Sequence, residues 1–83
     1  MLTQYLQAAL ENAHYEIIED EEPFYGEIPQ LPGVWATGAT LEACRRNLGA
    51  AVEDWLLFSL TQGLPIPTID GVTLSQPELV AAG

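Results

Sequence analysis

A chain of 83 residues, 48% of them hydrophobic, is too apolar to be disordered and makes a single domain (1–83) near the lower size at which one core sustains a fold. Two basic against 12 acidic residues give a formal net charge of −10, a field that repels phosphate backbones and argues against direct nucleic-acid binding. One cysteine leaves no disulfide or cysteine zinc site and fits a reducing cytoplasm, while no apolar run approaches the roughly 18 residues of a membrane span and no basic region precedes the first apolar residues.

The first element is a short helix. Leu2, Leu6, Ala9, Leu10 and Ala13 recur at helical spacing up to about Asn12, with Thr3 available as a cap. A helix this short is marginal alone, so it must dock on the domain or on a second copy. At His14–Asp20 the period changes to two: Tyr15 and Ile17 point one way, Glu16 and Ile18 the other, as in a strand. The acidic cluster Glu19, Asp20, Glu21 and Glu22, closed by Pro23, reads as a solvated turn, and Phe24–Ile28 resumes the alternation as the second arm of a hairpin.

Pro29, Pro32 and Gly33 then bend the chain, because proline cannot donate to a ladder. Val34–Thr37 reads as a third short strand, and Gly38 with Ala39 makes a sharp entry into the dominant element, a helix over Thr40–Gly63. Thr40 is its N-cap, Glu42 complements the dipole, and Gly63 is a left-handed stop with Pro65 beyond. Its apolar stripe runs Leu41, Cys44, Leu48, Val52, Trp55 and Ser59, widened by Leu56 and Leu60. A stripe so broad requires a sheet against it: each fully buried Leu, Val or Trp contributes roughly 1.5–3 kcal/mol or more. Beyond Gly63, Ile66 and Ile69 are candidates for a fourth strand that prolines confine to an edge, and Ser75, Pro77 and Glu78 form a possible start to a short final helix. The fold class is therefore α+β, a small antiparallel sheet of three or four strands under one long helix, with a short N-terminal helix.

The string Tyr25, Ile28-Pro29-Gln30-Leu31-Pro32-Gly33-Val34, Thr37-Gly38-Ala39-Thr40-Leu41-Glu42, Asn47-Leu48 and Ala51 resembles the HicB-like antitoxin domain, as does Gly63-Leu64-Pro65-Ile66-Pro67 downstream. The resemblance covers roughly residues 15–67. Gln30 replaces a common acidic residue, Ala39 the Asp or Glu of a G-D-T helix start, Ala43 a second glutamate and Cys44 an alanine. These exchanges remove charges at the turn and helix entry but not the architecture, which the resemblance implies to be a partial ribonuclease-H-like sheet. Many members carry a C-terminal helix-turn-helix or ribbon-helix-helix DNA-binding module, and one of helix-turn-helix size is not expected within the 16 residues after Pro67. The resemblance implies a protein partner, a small basic HicA-like toxin that cleaves mRNA and is bound and occluded. The alternative is a stand-alone oligomeric scaffold or regulatory interaction module.

No residue set in the sequence assembles chemistry. The run 19–22 lacks the spaced ligands and glycine of a calcium loop, and Glu16, Glu19 and Glu27 are a poor basis for a metal-dependent nuclease. His14 and Cys44, each the only one of its kind, have no triad partners; Arg45 and Arg46 turn away from the Cys44 face, and an i,i+4 pair between Glu42 and Arg46 is expected. Neither catalysis nor a cofactor is expected. The expected partner surface comprises Glu19, Asp20, Glu21, Glu22, Tyr25, Glu27 and Trp35, with core packing as the alternative for Trp35. Asn47 is expected to bond back to the Pro29–Gly33 bend. A sheet this small has exposed edges, from which a homodimer or higher homo-oligomer follows.

Overall fold

A computed structural model describes residues 2–73, so the expected final helix at 75–83 lies outside the described residues. The order is α1 (Leu2–Glu11), β1 (His14–Ile17), β2 (Phe24–Glu27), β3 (Trp35–Gly38) and α2 (Leu41–Gln62). The three strands form an antiparallel sheet in sequence order, in which His14 and Trp35 flank Glu27 while Glu16 and Thr37 flank Tyr25. α2 lies chiefly across β3 and β2, and α1 packs on α2. This is the α+β fold that the sequence implies.

α2 starts and stops where its sequence dictates. Thr40 has extended backbone, and its hydroxyl accepts from the Ala43 N–H at 3.0 Å, satisfying one orphan donor of the first turn. Gly63 adopts φ 71° and ψ 25°, a left-handed conformation glycine takes without steric cost, and both its N–H and that of Leu64 return to the Ser59 carbonyl. Between these caps Cys44, Leu48, Val52, Leu56 and Ser59 are buried, and Trp55 is half-buried against the core. Leu41, expected in the stripe, is exposed.

The strands are shorter than their alternation suggests. β1 ends at Ile17 because the Ile18 N–H turns to the Pro23 carbonyl at 2.7 Å to close the loop. Ile17 itself is 78% exposed, since the helix covers β2 and β3 rather than this outer strand. β2 stops at Glu27 and β3 begins one residue later than expected, at Trp35, because Ile28 and Val34 belong to the bend. There Leu31 donates to the Ile28 carbonyl and Val34 to that of Leu31, so Ile28, Leu31 and Val34 recur every third residue and all three enter the core. The proline-rich bend is thus a folded plug, not merely a corner.

No fourth strand forms among the described residues; Ile69 instead pairs with Val72 in an isolated bridge. Asp70 and Gly71, both at positive φ, make the two-residue turn between them, and the Ile69 and Val72 backbones exchange both hydrogen bonds. The segment before this turn is a strap over α1. The Tyr5 hydroxyl donates to the Pro67 carbonyl, Asn12 donates to Asp70, and Ile69 is buried. α1 accordingly buries Tyr5, Ala8 and Ala9, with Leu6 and Leu10 at the margin and Ala13 packing just beyond its end, and Thr3 lies inside the helix rather than capping it.

Candidate functional site on the open sheet face

Strand alternation places His14, Glu16, Tyr25, Glu27, Trp35 and Thr37 on the sheet face turned away from α2. Tyr15, Gly26 and Ala36 stand in one cross-strand row on the helix side. Tyr15 lies over Gly26, where an added Cβ would come within 2.8 Å of its ring, and the Cys44 thiol points at the Ala36 carbonyl at 3.6 Å. On the covered face Tyr15 fills the space left by Gly26 and Ala36, while Tyr25, Glu27, Trp35 and Glu16 lie on the opposite face.

Two rings organise that open face. Trp35, 56% exposed, stacks on Tyr25 with centroids 6.1 Å apart and planes inclined by 26°. The Tyr25 hydroxyl donates to Glu27 Oε1 at 2.9 Å, which fixes the carboxylate beside the rings. That hydrogen bond raises the Tyr25 pKa above its ordinary value, helped by desolvation and by the charges of Glu27 and Glu16. Next to the stack, the bend contributes Pro29, Leu31 and Pro32 to a groove of about 240 Å³ whose other wall is Tyr25, Glu27 and Trp35.

The acidic loop divides. Glu22 is drawn onto the open face, where Thr37 donates to its Oε1 at 2.6 Å. Glu19, Asp20 and Glu21 stay exposed in the β1–β2 loop, at the end of the hairpin away from the groove. Of the expected surface residues, Glu22, Tyr25, Glu27 and Trp35 therefore share one face, while the other three project beyond it. Among the described residues no group of His, Cys, Asp or Glu side chains could hold a metal ion, and no helix is long and apolar enough to cross a membrane.

The remaining polar residues have structural places. Asn47 donates to the Thr37 carbonyl at 2.9 Å, tying α2 to β3 and not to the Pro29–Gly33 bend; Gln30 from that bend reaches Asn12 instead. The bend already satisfies itself by successive turns, whereas a carbonyl of edge strand β3 is available. Cys44 is fully buried, and burial, with the Glu22 carboxylate adding, raises its thiol pKa. The Tyr15 hydroxyl is enclosed without a well-formed hydrogen bond. Its pKa is raised by burial, and the Arg45 guanidinium opposes the rise. No Glu42–Arg46 ion pair forms among the described residues.

A family model described as UPF0150-like matches residues 4–67, the span from the buried face of α1 through the strap. The chain belongs to the UPF0150-like family. Among solved structures, this UPF0150-like chain is similar to the crystal structure of TTHA0281 from Thermus thermophilus, at 57% identity and a TM-score of 0.83 over 88% of this chain and 96% of that one. No curated protein matches it. The residues that join in the site are only partly visible in sequence: the groove depends on the plug geometry of Ile28, Leu31 and Val34, whose three-residue spacing is the available signal.

Proposed function

We propose that this UPF0150-like protein is a HicB-like antitoxin, which acts by binding and occluding a small basic HicA-type toxin that cleaves mRNA, and not by catalysis. The observation that carries this reading is the open sheet face: an exposed Tyr25–Trp35 stack flanked by Glu16, Glu22 and Glu27, on a chain of net charge −10. Exposed aromatics supply interface energy, and a negative field speeds encounter with a basic partner. The HicB-like motif string through Tyr25, the bend and the α2 start supports the same reading. An occluder of an mRNA-cleaving toxin belongs in the cytoplasm.

The test is co-expression with a HicA-type toxin encoded beside the gene, scored by growth and by the integrity of cellular mRNA. Rescue by the wild-type chain is expected, and Trp35→Ala weakens the complex by about 2 kcal/mol or more, roughly 30-fold in Kd. Failure of rescue together with absence of binding by calorimetry overturns the proposal. A second reading, a self-associating scaffold, is favoured by a separate observation: β1 and β3 are outer strands with no further strand paired to either among the described residues.

A further inference from the structure

We propose that the groove beside the Tyr25–Trp35 stack is a receptor for a single arginine side chain of a protein partner, a refinement that rests on the open face being the partner surface. Three features converge there. Trp35 offers an exposed ring face, and a guanidinium within about 6 Å of such a face is attracted by its quadrupole. Glu27 stands directly opposite Trp35 in the β2–β3 ladder, so its carboxylate and the indole rise side by side from adjacent strands. Tyr25 is stacked on the indole and hydrogen-bonded to Glu27 Oε1, so one residue orients both groups, while Oε2 carries no hydrogen bond among the described residues.

The groove also has the volume to hold a long side chain. Its volume of about 240 Å³, floored by Leu31 and the two prolines of the bend, takes the aliphatic stem of a long side chain whose planar head lies on the indole. Among the described residues no side chain supplies the cation. The chain's two basic residues, Arg45 and Arg46, are on α2, across the sheet from this face, and Arg45 acts on Tyr15 there. His14 flanks Glu27 on the other side in the ladder and, among the described residues, forms no ion pair with it. Arginine is favoured over lysine because its flat guanidinium can stack on Trp35 and bond the free oxygen of Glu27 together, whereas an ammonium is a compact, strongly hydrated point charge.

The experiment uses the full chain carrying Trp55→Phe, so that Trp35 is the sole indole, titrated at pH 7.5 with N-acetyl-argininamide. Lysine, citrulline and proline amides serve as competitors for the same groove. A saturable change in Trp35 fluorescence is expected, with a dissociation constant on the order of millimolar and amide shifts confined to Gly33, Val34, Trp35 and Glu27. Glu27→Gln weakens it about ten-fold while Glu53→Gln, at an exposed position on α2, leaves it unchanged, and lysinamide binds several-fold more weakly. Equal binding of citrullinamide or prolinamide, or an unaltered constant in a folded Glu27→Gln chain, overturns the proposal. Argininamide binding in a chain that neither rescues toxin-arrested cells nor binds the toxin by calorimetry sinks the antitoxin reading and leaves the arginine groove standing.

Discussion

At the scale of single residues, the closest approach made by a glycine in the fold is where β3 meets the first turn of α2. A Cβ on Gly38 would sit 2.3 Å from the Cys44 nitrogen and 2.8 Å from the Ala43 carbonyl carbon, both backbone atoms that cannot swing aside. Gly38→Ala is therefore expected to cost about 1–3 kcal/mol by overpacking, read as a lowered denaturation midpoint; a midpoint equal to wild type would remove the close approach. Cys44, beneath that contact, is enclosed and its thiol pKa raised by burial. Alkylation should be negligible in the native chain and complete on unfolding, and rapid native labelling would show the stripe to be open. All three tyrosines, Tyr5, Tyr15 and Tyr25, have raised pKa values. The folded state therefore holds these protons more tightly than the unfolded chain. Their stabilising contribution is complete below the ordinary value of about 10 and lost as pH rises through the folded values. Phenolate absorbance should appear at higher pH in the folded chain than in the chain unfolded by denaturant, and identical titration in the two states contradicts this.

At the scale of elements, the limits of α2 are legible in the sequence because both of its ends are local chemistry: Thr40 needs only its own hydroxyl and the Ala43 N–H, Gly63 only its own left-handed backbone. Thr40→Ala should lower stability by about 1 kcal/mol, with Thr40→Ser recovering most of it; equal stability of the alanine variant would show the cap to be idle. The strand limits are less legible, since alternation in Ile17-Ile18 and Ile28-Val34 does not reveal which residue leaves the ladder for a turn. The strap reads as a possible edge strand although Asp70-Gly71 carries the two-residue turn signal, because the prolines at 65 and 67 say only what the segment cannot do. In the candidate site, alternation narrows Trp35 and Val34 to opposite faces without saying which is buried. Only the plug formed by Ile28, Leu31 and Val34 decides it, and that packing involves contacts remote in sequence.

At the scale of the molecule, the negative charge and the two outer strands, which have no further strand paired to them among the described residues, act against one another. A second copy brings another −10, so edge pairing gains backbone hydrogen bonds and buried Ile17 while working against like-charge repulsion. The repulsion is screened over roughly 8 Å at physiological ionic strength and much less in dilute buffer. Light scattering at rising salt should therefore show growth from the 9.0 kDa chain mass toward twice that value, with Ile17→Lys holding the chain monomeric throughout because it sets a charge at the outer strand. Phe58→Glu separates the edge from an exposed apolar surface on α2, where Leu57 and Phe58 are 63% and 58% exposed. Should Phe58→Glu abolish the dimer while Ile17→Lys leaves it intact, contact runs through the helix and edge pairing is wrong. Since Trp35 lies on the sheet's open face, Trp35→Ala should leave the mass unchanged, so that loss of partner binding in that variant reports on the face and not on assembly.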